Sequence, residues 1–332
     1  MTTQRPTVAF GELLLRLDAP AGDRLVQADC FEARYTGSEA NVAASLVKFG
    51  LPAEVVSAVP GGALGDACLS YLRRFGVGVD HVVRRPGRLG LLFHEPGGVG
   101  RPPVVIYDRA GSVFATAGPD AYDWPAILDG RSWLHISGTA PALGAGVRTA
   151  VHRAMLAARE LGVGVSLDLN YRSALWSLAD AGRVLAGLAP LADILLGSGP
   201  DAAAMFGLDL PSAAIAEHVR LAKRLCERFE LRAVAGTARL NGHLHGLLVD
   251  GDGSYVSKGH PILDPVGRIG TGDAFAAGLL RGILAGTPPA RTVEFAAAAA
   301  HLKQSIRGDV NLVTVAEVDA AVAGDPADRV VR

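Results

Sequence analysis

Apolar residues recur along this chain in two rhythms: short continuous runs that suit strands, and longer stretches with apolar positions three and four apart that suit helices. From residue 132 they alternate regularly, with strands at 133–136, 164–169 and 193–196 and helices at 146–161 and 178–188. Short apolar strands spaced by helices of this length predict a parallel sheet joined by crossover helices. Upstream, residues 7–18 read as one strand broken at Gly11, interrupted by the charges of Glu12 and Arg16 and ending in a turn at 19–22. A helix at 39–50 follows, capped by Ser38 and stopped by Gly50, then a strand at 54–59 and a helix at 64–75. Segments at 79–84, 89–94 and 103–108, separated by Pro86-Gly87 and a glycine-proline stretch at 97–103, read as antiparallel hairpin strands that interrupt the βα series. They predict a small β lid on the parallel-sheet body. Downstream come a helix at 212–229, a strand at 232–236, two strand-like pieces through 256, and helices at 273–284, 289–303 and 315–323. Five consecutive alanines suit the 289–303 helix to close approach by a neighbour or a flat ligand. Without repeat, linker or low-complexity tail, residues 1–332 read as a single domain with lid strands within about 12–36 and 80–110.

Composition narrows the class of partner. With 332 residues, 49% of them hydrophobic, the chain can bury a large α/β core. Its 32 basic and 33 acidic residues leave a net charge of −1, which predicts neither nucleic acid nor an anionic membrane as partner. A small molecule is the expected ligand. Three widely spaced cysteines, Cys30, Cys68 and Cys226, suit reduced thiols, and no apolar run approaches the ~20 residues of a membrane span. The expected location is cytoplasmic.

One stretch dictates a chemical geometry. In Ile269-Gly270-Thr271-Gly272-Asp273 two glycines flank a threonine just where a helix begins, so the chain can turn tightly with its N–H groups exposed. Orphan N–H groups and the positive end of the helix dipole would hold a phosphate there. Asp273, in the first turn, could take a proton from a hydroxyl attacking that phosphate. The plainer alternative makes Asp273 a helix cap and the glycines turn residues.

Other chemistries fit less well. No Gly-x-x-x-x-Gly-Lys-Ser/Thr loop and no Gly-x-Ser-x-Gly elbow occur. Gly197-Ser-Gly-Pro-Asp-Ala202 matches a loose dinucleotide pattern, but the next strand ends without an acidic residue for a ribose. His243 and His245 share a strand face without a third metal ligand in view, and no metal site is expected among protein side chains.

With those residues in hand, the chain resembles the ribokinase-like carbohydrate kinase family nearly end to end, and most of all its bacterial 2-dehydro-3-deoxygluconate kinase branch. The likeness rests on Gly11-Glu-Leu-Leu-Leu-Arg-Leu17, Gly37-Ser-Glu-Ala-Asn-Val-Ala43, Arg101-Pro-Pro-Val-Val-Ile-Tyr-Asp-Arg109, Ser137-Gly-Thr-Ala-Pro-Ala-Leu143, Asp168-Leu-Asn-Tyr-Arg172, Gly308-Asp-Val-Asn-Leu312 and the Gly-x-Gly-Asp helix start. The resemblance implies a three-layer α/β body with a mostly parallel sheet, a β lid used for homo-oligomers, and ATP with Mg²⁺ as phosphate donor. It makes Asp273 the base and Gly270, Thr271 and Gly272 the anion hole. It places Gly37, Ser38, Asn41, Tyr107, Arg109, Asn170, Arg172 and Asp309 around a sugar acid, and Ser198 and Thr237 near the nucleotide. A planar guanidinium matches a carboxylate bidentately, which suits the two arginines to an acid substrate.

The chain also departs from the family pattern. Thr36 replaces the first of two paired glycines, Leu91-Leu92 an aromatic of the lid, Gly199-Pro200-Asp201 a richer acidic cluster, and Gly236-Thr237-Ala238-Arg239 a glycine-rich nucleotide turn. Where many resembling enzymes carry a cation-binding aspartate, six residues before the base, this chain has Gly267, next to the fixed charge of Arg268. A weak dependence on monovalent cations is expected, unless Asp264 supplies the charge. The competing readings are a kinase for a neutral sugar or nucleoside, and a silent sugar-acid-binding protein.

Overall fold

A computed structural model describes residues 4–262 and 266–324. The chain opens with β1 (Thr7–Phe10), β2 (Leu14–Asp18), β3 (Glu32–Thr36), α1 (Ser38–Lys48), β4 (Ala53–Pro60) and α2 (Ala63–Arg73). Next come β5 (Val82–Arg85), β6 (Gly90–Glu95), β7 (Val104–Asp108) and two short helices, α3 (Val113–Thr116) and α4 (Trp124–Leu128). The regular alternation is β8 (Trp133–Ser137), α5 (Ala145–Glu160), β9 (Gly164–Asp168), α6 (Leu178–Leu188), β10 (Ile194–Leu196), α7 (Pro200–Phe206) and α8 (Ile215–Phe229). The last part holds β11 (Ala233–Leu240), β12 (His243–Asp250), β13 (Ser254–Val256), β14 (His260–Pro261), α9 (Thr271–Leu284), α10 (Pro289–Lys303) and α11 (Val315–Ala323).

The large sheet runs β13-β12-β11-β10-β9-β8-β1-β4-β5, with β14 paired to β12. Neighbours from β11 to β5 are parallel, and β12 and β13 add antiparallel strands at one edge. β1 is buried at every position because both of its faces are covered: Val8 and Phe10 pack on the layer formed by α3 to α8, while Ala9 packs on α1, α2, α9, α10 and α11. The three layers that the resemblance implies are present. The alanine run meets a helix: Ala296 to Ala300 are buried, and a Cβ added at Gly278 of α9 would lie 2.8 Å from the Ala296 Cα. Cys68 is buried, and its burial pushes the thiol up to about 12, so it packs as an inert apolar group. No described helix is long and apolar enough to cross a membrane.

A second sheet, ordered β3-β2-β6-β7, covers the C-terminal ends of the central strands. Two local expectations are corrected here. Residues 7–18 form two strands in different sheets, because the ladder of β1 with β4 ends where the Gly11 N–H reaches the Val56 carbonyl (3.2 Å) and the chain turns a corner. A Cβ at Gly11 would strike the Glu39 carboxylate, so a larger residue at that corner would have to displace a buried, hydrogen-bonded group. Residues 82–85 join the large sheet beside β4, and β2 pairs with β6 in parallel, so within the small sheet the antiparallel pairs are β2–β3 and β6–β7. Pairing partners distant in sequence leave no local trace.

Candidate active site

The start of α9 is the candidate anion site. Gly270, with φ 84°, is its N-terminal flank, and no side chain among the described residues caps the helix, so its first N–H groups have no side-chain partner, and that of Thr271 makes only a long contact with the Arg268 carbonyl (3.4 Å). Glycine is required twice over at this position, by the left-handed backbone and because a Cβ would overlap the Asp309 carbonyl. The Thr271 hydroxyl donates to the Arg268 carbonyl (2.7 Å), which holds the turn in place.

Asp273 does not cap. Its carboxylate is buried and accepts from Ser38 Oγ (2.7 Å) and Asn41 Nδ2 (2.8 Å), both on α1. Burial pushes its pKa up to about 6 against the pull of those two hydrogen bonds; Asp309 adds to the rise and Arg172 opposes it. The expected cap of α1 by Ser38 is thereby corrected. Gly37 flanks that helix without a side-chain cap, and the Ser38 hydroxyl goes to the carboxylate because a charged acceptor outbids a neutral amide. A Cβ at Gly37 would lie 2.5 Å from the Glu12 carbonyl, so close approach selects this glycine.

A cavity of about 460 Å³ lies between the two sheets above α9. Gly37, Ser38, Asn41, Tyr107, Arg109, Asn170, Arg172, Gly270, Thr271, Gly272, Asp273 and Asp309 all line it. Alternation along β7 turns Val105 and Tyr107 toward the cavity and leaves Val104 and Ile106 outside. Asn170 has φ 35°, a left-handed conformation held by its N–H on Asp168 Oδ1 (3.0 Å), and its amide donates to Ser38 Oγ (2.8 Å). Ser198 and Thr237 lie apart from this cavity. Ser198 is buried after β10, and its hydroxyl would be 2.7 Å from a Cβ at Gly236; Thr237 is exposed on β11.

Two lining residues are engaged in ways that spacing along the chain could not reveal. Arg109 Nε donates to Glu12 Oε2 (2.5 Å), and Ser112 donates to the other oxygen of that carboxylate. The two terminal guanidinium nitrogens of Arg109 have no protein partner among the described residues, and its side chain lies 5.5 Å from the Tyr107 ring centroid. Asp309 is ion-paired with the buried Arg16 of β2, which also holds Asp18 (2.9 Å from Nε). Arg172 is exposed at the rim.

Sequence reasoning missed several buried groups. Glu39 accepts from the Ser137 N–H (3.0 Å) and hydroxyl (2.6 Å), and burial pushes it up to about 7. Burial, with Asp273 nearby, does the same for Asp168. Glu12 carried a signal, a charge inside an apolar run, but its partners lie about a hundred residues away. Arg268 is exposed at the cavity rim, whereas the buried cation beneath the turn is Lys303. Asp264 lies outside the described residues. His243 is exposed and bonded to the Asn241 carbonyl (2.9 Å), and no group of three or more metal-ligating side chains occurs among the described residues.

An open helix start, a buried carboxylate beside it and a cavity that also presents Arg109, Arg172 and Asp309 under a second sheet are parts that a phosphoryl-transfer site needs. The profile of the pfkB family carbohydrate kinases matches residues 5–313, and the chain belongs to that family. It is 34% identical to a 2-dehydro-3-deoxygalactonokinase of Haloferax volcanii, covering 96% of this chain and 97% of that one. It is 30% identical to a 2-dehydro-3-deoxygluconokinase of Thermoproteus tenax, over 91% and 89% of the two chains. Among solved structures, a 2-dehydro-3-deoxygluconokinase of Thermotoga maritima superposes with a TM-score of 0.92 at 35% identity, covering 97% of this chain and 99% of the other.

Proposed function

We propose that this kinase transfers the γ-phosphate of ATP to a hydroxyl of 2-dehydro-3-deoxygluconate or a close keto sugar acid. The observation that carries the reading is the Asp273 carboxylate, held by Ser38 and Asn41 beside the uncapped start of α9 in a cavity that also presents Arg109 and Arg172. Asp273 orients the attacking hydroxyl and accepts its proton. The N–H groups from Gly270 to Asp273 stabilise charge developing on the phosphate, and the free end of Arg109 receives the substrate carboxylate, with Arg172 closing the rim. Mg²⁺ is the divalent ion that ATP would bring to this site. When bound, that ion would neutralise phosphate charge. Ser198 and Thr237 are the candidate nucleotide contacts on the strands beyond the cavity.

The relatives named above differ in the epimer that they act on, so the decisive experiment is ATP consumption over a panel of both keto acids, neutral hexoses and nucleosides. Turnover confined to keto acids supports the reading. Equal turnover of neutral sugars assigns a neutral-sugar kinase, and no turnover with retained sugar-acid binding assigns a silent binding protein.

Two further expectations accompany it. Gly267 offers no carboxylate, so turnover should be nearly unchanged when K⁺ is replaced by tetramethylammonium at matched ionic strength. Strong K⁺ activation that vanishes in Asp264→Asn would reverse this. The outer face of the small sheet carries exposed Phe31, Val104 and Ile106, and this apolar face is the proposed contact in a homo-oligomer. Ile106→Glu should then lower the mass measured by light scattering, and an unchanged mass would remove the small sheet from the contact.

A further inference from the structure

Lys303 has no exposed surface, and the transfer chemistry described above makes no use of it. It is the last residue of α10, and its Nζ donates to the main-chain carbonyls of Gly308 (2.9 Å) and Ile306 (3.2 Å). No ion pair to Lys303 occurs among the described residues. A buried ammonium held only by carbonyls is costly to keep, and an apolar side chain would fill the space without that cost.

The segment that it holds, 304–309, is the surface on which the phosphate loop rests. The Gly267 N–H donates to the Gln304 carbonyl (3.1 Å), and a Cβ at Gly267 would lie 2.7 Å from the Ile306 carbonyl. A Cβ at Gly270 would overlap the Asp309 carbonyl and come within 3.2 Å of Lys303 Cε. Backbone therefore lies directly on backbone from residue 267 to the start of α9, with the ammonium below. The negative end of the α10 dipole favours a cation here. Burial pushes the Lys303 pKa down to about 8, with Arg16 in the same direction and the Asp309 and Asp273 carboxylates opposing, so the ammonium form prevails at neutral pH.

We propose that Lys303 is a positioning residue for phosphoryl transfer, an internal cation that locks residues 304–309 through the Ile306 and Gly308 carbonyls. It thereby holds Gly270 and the open N–H groups of α9 in their anion-binding geometry. The proposal rests on the reading of the α9 start as the phosphate site, and it does not depend on which sugar is phosphorylated.

Two variants test it. Lys303→Met keeps the bulk and removes the charge; it should fold and lose turnover by about 100-fold, the scale of losing one oxyanion donor, with little change in sugar KM. Lys303→Ala opens space between the two carbonyls. Its turnover, and its ATP affinity measured by calorimetry, should rise saturably by about tenfold with ammonium chloride and not with tetramethylammonium chloride at matched ionic strength. A Lys303→Met enzyme with near wild-type turnover, or a Lys303→Ala enzyme indifferent to ammonium, overturns the proposal. So does failure of both variants to fold where wild type folds, which would assign Lys303 to stability alone. ATP affinity separates the two ideas: wild type that binds ATP yet phosphorylates no sugar acid defeats the functional reading and leaves the Lys303 test intact.

Discussion

Asp273→Asn should lower kcat by roughly 10²- to 10⁴-fold, the usual worth of a general base, while the fold and the KM for ATP stay close to wild type. The local hydrogen bonding explains why the fold should survive. Asp273 accepts one bond from the Ser38 hydroxyl and one from the Asn41 amide. An asparagine can keep its oxygen toward the Ser38 hydroxyl, which also accepts from Asn170, and turn its NH₂ toward Asn41, whose amide flips to present the Oδ1 that has no partner among the described residues. Both bonds are kept, but the proton acceptor is gone. The pH profile provides a second readout. Because burial raises Asp273 to about 6, the wild-type kcat/KM should fall as pH drops below about 6, where the base becomes protonated, and hold above it. The variant should lack that acid limb. A variant within about tenfold of wild type, or one that keeps the limb, would show that another group accepts the proton.

The second large effect falls on stability and substrate together. Arg109→Leu strips the buried Glu12 carboxylate, whose side chain is only 1% exposed, of its ion-pair partner, and removing one member of a buried pair costs about 3–5 kcal/mol. It also removes a charge-assisted contact to the substrate carboxylate of about 1.5–3 kcal/mol, which is roughly a 10- to 150-fold rise in KM for the keto acid and none for ATP. The double variant Glu12→Gln/Arg109→Leu separates the two. Glutamine needs no counter-charge and still accepts from Ser112, so denaturant unfolding should show most of the stability restored while KM for the keto acid stays high. If KM recovers together with stability, Arg109 supports the fold and does not meet the substrate.

The sequence by itself determined most of the elements and the glycine-flanked helix start at 270–273. Strand and helix periods are local, so the βα alternation from 133 to 196 and the helices of the last third could be read directly, with ends shifted by a few residues. The start of α9 was legible for the same reason, since Gly270, Thr271, Gly272 and Asp273 are contiguous and their geometry follows from glycine freedom and helix ends. Only the tertiary structure decided which sheet each strand joins, because pairing partners lie tens to hundreds of residues apart. It moved β2 out of the strand read at 7–18 and placed β5 beside β4. It also decided what each charge does. Ser38 serves the Asp273 carboxylate, Arg109 answers Glu12, Asp309 answers Arg16, and Lys303 closes its own turn from within. In the sequence these residues are separated by up to about 290 positions, and a lysine in the last turn of a helix looks like an ordinary solvated one. Burial turns such groups into costly, specific contacts, and burial is a property of the assembled layers.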